Sequence, residues 1–172
     1  MEKQKIVILD RDGTLIENID YLNDENLIRF LPNCIETLKF LNSLNYQLFV
    51  VTNQSGIGRG LISKDQYEKV TSKIISEFLL NDVRIVDIKH CPHTPEDNCG
   101  CRKPKGALGS EIIEQYNVEI SRSFVIGDSF SDIDFGKSIK FKTILINNRE
   151  PYLNANYKLY NWLNVREFFE SL

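Results

Sequence analysis

Long apolar runs are missing from this chain. The longest, Ile6-Val7-Ile8-Leu9 and Leu48-Phe49-Val50-Val51, are four residues each, and only polar residues stand between Met1 and the first of them. Stretches this short build neither a signal-peptide core nor a membrane span, so the cytoplasm is the expected compartment and no membrane partner is expected. Basic blocks are missing too: 21 Lys and Arg against 24 Asp and Glu leave a net charge of -3, which argues against a nucleic-acid surface. Cysteine is scarce, with four in 172 residues, and the chain has no internal repeat or low-complexity segment. A chain of this length buries a core without disulfide staples; one domain over residues 1–172 is expected, with a monomer as the default.

What is present begins with Ile6-Val7-Ile8-Leu9-Asp10-Arg11-Asp12-Gly13-Thr14. An apolar, partly β-branched run reads as a buried parallel strand, and it ends in two aspartates at alternate positions. Carboxylates beyond the carboxyl end of such a strand stand where an open α/β sheet handles a metal or a phosphate ester. Asp10 and Asp12 point to the same side, and Gly13 lets the backbone turn away and leave the site open.

The rest of the chain alternates helices and strands. Leu15 to Asn26 is polar with scattered apolar residues and reads as a short flap, with no large cap domain. A helix starts at Leu31-Pro32-Asn33, with Ile35, Leu38, Leu41 and Leu44 on its core face; Cys34 is expected to be buried in it. Gln47 to Thr52 is a second strand and Asn53 to Gly60 a glycine-bearing loop. Ser63 with Gln66 makes a capping box for a helix through Phe78 or Leu79. Arg84 to Lys89 is a third strand, Pro104 opens a helix that Asn117 ends, and Ser123 to Asp128 is a fourth strand ending in an aspartate. Ile133 to Ile139 forms a short helix and Lys142 to Ile146 a fifth strand; Trp162, Phe168 and Phe169 close the core. The expected fold is α/β: a Rossmann-like parallel sheet with helices on both faces.

Three of the four cysteines lie close together beside a histidine, as Cys91-Pro92-His93 and Cys99-Gly100-Cys101. Three thiolates and an imidazole make a closed tetrahedral set for Zn2+, with no position open for catalysis, so the zinc in loop 91–101 is expected to be structural. His90 is a competing ligand in this reading. Arg102 and Lys103 directly follow the last ligand, and the metal would fix both bases.

Asp10-Arg11-Asp12-Gly13-Thr14 resembles the first motif of the haloacid dehalogenase-like phosphatases. Val50-Val51-Thr52-Asn53-Gln54, the Lys103 of Cys101-Arg102-Lys103-Pro104, and Val125-Ile126-Gly127-Asp128 with Asp132 resemble the later motifs, in order and spacing, over roughly residues 5 to 146. The resemblance implies Asp10 as nucleophile, Asp12 as general acid/base, and Thr52 and Lys103 as stabilisers of the phosphoryl group. It also implies Mg2+ held by Asp10, Asp128 and the main-chain carbonyl of Asp12. Asp132 would contact the metal through water or support its neighbours.

The metal loop narrows the resemblance to the branch that includes heptose-bisphosphate and histidinol-phosphate phosphatases. It implies removal of the 7-phosphate of D-glycero-D-manno-heptose 1,7-bisphosphate through an aspartyl-phosphate, in nucleotide-activated heptose biosynthesis for lipopolysaccharide, capsule or S-layer. Asn18, Tyr21, Asn53, Gln54, Ser55, Arg59 and Arg102 are the expected substrate contacts. Ser55 favours the heptose substrate over histidinol phosphate, where that branch tends to carry an acidic residue. Ser129 departs from the branch, which often has Lys or Arg there. Two other classes compete: a DNA 3'-phosphatase, which should show a basic face, and a zinc-stabilised binding protein without turnover, against which four intact motifs speak.

Overall fold

The structure, a computed structural model, describes residues 3–146 and 154–172. Six strands form one sheet: β1 (Lys5–Leu9), β2 (Tyr46–Asn53), β3 (Ile85–Cys91), β4 (Phe124–Gly127), β5 (Lys142–Ile146) and β6 (Tyr157–Leu159). All pairings are parallel, in the order β3-β2-β1-β4-β5-β6, with Leu9 opposite Val50 on one side and Ile126 on the other.

Side chains alternate along each strand, so the apolar runs feed two separate layers. Val7, Leu9, Leu48, Val50, Phe124, Ile126, Ile144 and Ile146 join one core with α1 (Cys34–Ser43), α3 (Lys64–Leu80) and α6 (Trp162–Glu170). Ile6, Ile8, Phe49, Val51 and Val125 join the other with α4 (Ala107–Gln115) and α5 (Phe130–Ser138). Each large side chain so buried contributes about 1.5–3 kcal/mol. Trp162 is fully buried and its indole N–H donates to the Thr14 carbonyl at 2.8 Å, which ties the last helix to the loop after β1.

Strand order reverses direction between β1 and β4, and at such a switch point the loops leaving the two strands diverge and open a crevice. Asp10 follows β1 and Asp128 follows β4. That topology brings together two carboxylates separated by most of the chain.

Several local readings needed tertiary information. Pro32 lies before α1, whose N-cap is Asn33 in the left-handed region at φ 60°. Pro104 likewise precedes α4, which starts at Ala107 and is capped by Tyr116 rather than ended by Asn117. The loop after β2 contains one helical turn, α2 (Ser55–Gly58). Helix α5 begins at Phe130, three residues earlier than its apolar pattern suggests, because Ser129 and Asp132 form a capping box. The flap is anchored: Leu15, Ile16 and Leu22 are buried, and Leu31 N–H donates to the Leu15 carbonyl at 3.0 Å. The capping box at Ser63 and the burial of Cys34 match expectation. No helix among the described residues is long and apolar enough to cross a membrane.

Candidate active site

Lys103 occupies the centre of the crevice. Its ammonium donates to Asp10 Oδ1 at 2.6 Å, to Asp132 Oδ1 at 2.7 Å and to the Val51 carbonyl at 2.6 Å, which uses all three of its hydrogens. The lysine side chain is 2% exposed, so these partners replace water almost completely. Desolvation works against its charge, but the Asp10 and Asp132 charges outweigh that and hold its pKa above the ordinary value. Asp10 is pushed up to about 8, by burial first; Lys103 opposes the rise, and the charges of Asp132 and Asp12 add to it. The buried crevice is therefore short of positive charge.

Carboxylate oxygens of Asp10, Asp128 and Asp132 lie within 4.8 Å of one another. Hard oxygen donors at such spacing suit a divalent cation, whose charge would offset their mutual repulsion. Gly13 makes the approach possible: its φ is +84°, and a Cβ there would collide with the Asp128 carboxylate. Asp132 is differently engaged. While Oδ1 accepts from Lys103, Oδ2 accepts from Ser129 Oγ at 2.6 Å and from the Ser129 N–H at 3.1 Å. With both oxygens bonded to the protein, Asp132 is better placed to support Lys103 than to ligate a cation.

Asp12 stands two residues on, against buried Arg11. The Arg11 Nε donates to both its oxygens at 3.0–3.1 Å, Nη2 adds a bond of 3.0 Å to Oδ1, and Gln54 Nε2 donates to Oδ2 at 2.7 Å. The Arg11 guanidinium lies over the Tyr67 ring, 5.8 Å from its centroid. Sequence reasoning passed over Arg11, although an arginine buried at the end of a core strand has to be paired, and the next residue is the pairing acid.

Thr52 is buried at the end of β2 and accepts from Gln54 at 2.9 Å. Asn53, expected to meet the substrate, also uses its side-chain amide within the protein. That amide closes a ring with the backbone of Lys103, donating to its carbonyl at 3.1 Å and accepting from its N–H at 3.0 Å. One amide hydrogen and the main-chain N–H of Asn53 are then left for a ligand.

Two crevices meet at Asn53. One, of about 140 Å3, is lined by Arg11, Asp12, Asn18, Tyr21, Gln54 and Ser55 among others. Tyr21 covers Gly56 so closely that a Cβ there would come within 2.7 Å of its ring. The other, of about 380 Å3, brings Arg102, Lys103, Lys105 and Phe130 together. Arg59 lines neither; it is paired with Glu96 at 3.4 Å. Phe130, an aromatic side chain 54% exposed beside Arg102, was not foreseen, since nothing in the sequence distinguishes it from a core residue. Larger clefts at the opposite end of the strands contain none of these groups.

Beyond β3 the second cluster forms. Cys91, Cys99, Cys101 and the His93 Nδ1 lie within 4.8 Å of one another, and the distances between neighbouring donors run from 3.2 to 3.6 Å. A zinc tetrahedron with ordinary bond lengths has edges of about 3.6–3.8 Å, so the donors are nearly in place. Burial pushes the Cys91 thiol up to about 12, whereas Cys99, despite desolvation, is drawn down to about 7 by hydrogen bonds from Cys101 and Cys91. His90 is outside the cluster; its ring stacks on Tyr67 at 4.2 Å.

The sheet order, with its acids at the switch point and a buried lysine between them, defines a haloacid dehalogenase-like phosphatase. A family model described as polynucleotide kinase 3 phosphatase matches residues 5–151. The D-glycero-beta-D-manno-heptose-1,7-bisphosphate 7-phosphatase of Helicobacter pylori is 32% identical over 174 residues, covering 100% of this chain and 98% of that one. The histidine biosynthesis bifunctional protein of Blochmanniella floridana is 38% identical over 143 residues, covering 81% of this chain but 40% of its own. In fold, the chain is similar to a D,D-heptose 1,7-bisphosphate phosphatase from B. bronchiseptica, complexed with magnesium and phosphate. The TM-score is 0.90 at 24% identity, covering 98% and 99% of the two chains. The chain belongs to this phosphatase family, alongside the heptose-1,7-bisphosphate 7-phosphatases.

Proposed function

We propose that this chain removes the 7-phosphate of D-glycero-D-manno-heptose 1,7-bisphosphate, as a cytoplasmic monomer made of one domain. The observation that carries the reading is the buried Asp10–Lys103–Asp132 ion cluster next to Asp128, at the mouth of a crevice that also holds Arg102. Asp10 Oδ1 is occupied by the ammonium, which leaves Oδ2 to attack phosphorus. Attack forms the acyl-phosphate bond as the ester P–O bond breaks, and the departing alkoxide takes a proton from Asp12. Asp12 then takes a proton from the water that hydrolyses the acyl phosphate. Lys103, the Thr52 hydroxyl and the Asn53 N–H would balance the charge on the phosphoryl oxygens.

Asp10, Asp128 and the Asp12 carbonyl would hold Mg2+, which supplies charge neutralisation for the phosphate. Cys91, His93, Cys99 and Cys101 would hold Zn2+ in a structural role. Asn18, Tyr21 and Ser55 would line one side of the sugar, while Arg102 would pair with the outer phosphate and Phe130 would offer its face to the sugar ring. Arg59, tied to Glu96, is a weaker candidate for such a contact.

Phosphate release from heptose 1,7-bisphosphate, histidinol phosphate and a simple primary phosphate ester, with and without Mg2+, tests this reading. The bisphosphate should be turned over most efficiently and only with the cation. Arg102→Ala should cost more against the bisphosphate than against the simple ester. Equal or better turnover of histidinol phosphate would overturn the substrate, and acceleration by duplex DNA would point to a nucleic-acid 3'-phosphatase instead.

A further inference from the structure

Gln54 lies in the crevice beside the flap, yet its amide is engaged by the protein itself. The residue is 5% exposed, and Nε2 donates to Asp12 Oδ2 at 2.7 Å and to Thr52 Oγ1 at 2.9 Å. Geometry fixes the orientation of that amide: both Asp12 oxygens already accept from Arg11, so the NH2 end of Gln54 faces the carboxyl. Its two hydrogens then meet two acceptors. By filling a lone pair of Thr52, Gln54 leaves the threonine hydrogen available to a phosphoryl oxygen. By holding Oδ2, it fixes the edge of Asp12 that Arg11 shares from the other side.

We propose that Gln54 is a positioning residue that sets the Asp12 carboxyl for proton delivery to the leaving oxygen and the Thr52 hydroxyl for the phosphoryl group, and is not a substrate contact. This rests on the reading of the site as a phosphomonoesterase in which Asp10 attacks and Asp12 protonates. The two consequences separate by leaving group. An alkoxide cannot depart without a proton, whereas a p-nitrophenolate can. Since kcat/KM reports the steps through departure of the leaving group, loss of aim at Asp12 should appear there for alkyl esters alone.

The test compares wild type with Gln54→Ala and Gln54→Met, the second retaining most of the side-chain volume, on glycerol phosphate and on p-nitrophenyl phosphate with Mg2+. For both variants kcat/KM should fall about 10–100-fold on glycerol phosphate and within about tenfold on p-nitrophenyl phosphate, always by the smaller factor on the latter. Placed on an Asp12→Asn background, the same substitutions should add little to the loss on glycerol phosphate, because the group they aim is already gone. Equal losses on both esters, or full additivity with Asp12→Asn, would show a phosphoryl contact and overturn the proposal. Unchanged kcat/KM in both variants would overturn it as well. Wild type inert toward both esters would instead bring down the phosphatase reading, and the inference with it.

Discussion

Replacing Lys103 by methionine removes the charge around which the site is assembled while retaining most of its volume. Asp10 Oδ1, Asp132 Oδ1 and the Val51 carbonyl all lose their donor at once, in a place where the lysine and Asp132 side chains are each 2% exposed. Removing one member of a buried ion cluster costs about 3–5 kcal/mol, and the three lost bonds do not add, because a carboxyl can take up a proton instead. In a chain of this size that corresponds to a fall in Tm of about 6–20 °C.

The pH dependence has a definite sign. Asp10 is held up to about 8, by burial first, even with the ammonium beside it. Without the ammonium its pKa rises further. A carboxyl whose folded pKa exceeds its unfolded value, about 3.9, loses stability steadily as pH climbs from the second to the first. Wild type and variant therefore lose stability in parallel up to about pH 8, where Asp10 is protonated in both folded states. Above it only the variant retains the proton, and the gap widens by up to about 1.4 kcal/mol per pH unit. Thermal melts of both proteins in chelator, from pH 6 to 9.5, read this directly. A Tm difference under about 2 °C at neutral pH, or a gap that stays constant through the alkaline range, would refute the reasoning.

Three further outcomes are expected. Asp10→Asn should abolish phosphate release, since an amide neither attacks phosphorus nor ligates a cation well; turnover within tenfold of wild type would exclude an aspartyl-phosphate. Because Asp10 is held up to about 8, by burial first, Mg2+ must displace its proton below that pH. The apparent Kd for Mg2+ measured by calorimetry should then fall about tenfold per unit between pH 6 and 8 and level off above, and a flat profile would contradict it. Elemental analysis of protein kept reduced should find about one zinc per chain, and Cys99→Ser or Cys101→Ser should lower Tm; absence of any heavy metal would refute the site.

The parts of the fold legible in the sequence are those written as local patterns. Apolar runs of three or four residues marked the strands at the centre of the sheet, and an aspartate directly after two of these strands, Asp10 after β1 and Asp128 after β4, marked where chemistry would gather. β6 escaped notice because Tyr157–Leu159 is three residues long and only partly buried, so no alternation can develop. The site was legible as a set of residue types and not as a set of bonds. Asn53 and Gln54 were both read as substrate contacts, yet one side chain holds the Lys103 backbone and the other holds Asp12 and Thr52. Of those partners Asp12 and Lys103 are 42 and 50 residues away, and their positions depend on how β2 lies beside β1 and where the loop after β3 returns. Ser129 has a similar explanation: it caps α5 and bonds Asp132, so the position supports the lysine through hydrogen bonds where a cation would have faced the phosphate.

The course of the loop from Cys91 to Lys105 bears on why a Cys/His cluster able to hold a metal stands beside Lys103. Along that stretch only Cys91 and Lys103 are buried, and the side chains that pack on the core are Cys91, Cys99 and Cys101. Its hold includes the Cys91, His93, Cys99 and Cys101 cluster, the Gly58 N–H that donates to the Pro92 carbonyl at 2.9 Å, the Arg59–Glu96 pair, the ring that Asn53 closes on the Lys103 backbone, and Lys105, whose ammonium donates to the carbonyls of Asn98 and Cys99 at 3.0 and 2.8 Å. Of these, the surface lysine is worth little and Asn53 fixes a single point. The cluster joins both ends of the loop, Cys91 at the end of β3 and Cys101 two residues before the lysine. Without a metal on these four residues the loop would still be pinned at Asn53 and Gly58, but the Lys103 side chain would have to find three acceptors within 2.7 Å from a backbone held less firmly just before it. If zinc fills the proposed site, its removal should therefore lower kcat by misplacing Lys103 and weaken binding of the outer phosphate by releasing Arg102, whose guanidinium donates to the His93 carbonyl at 3.3 Å.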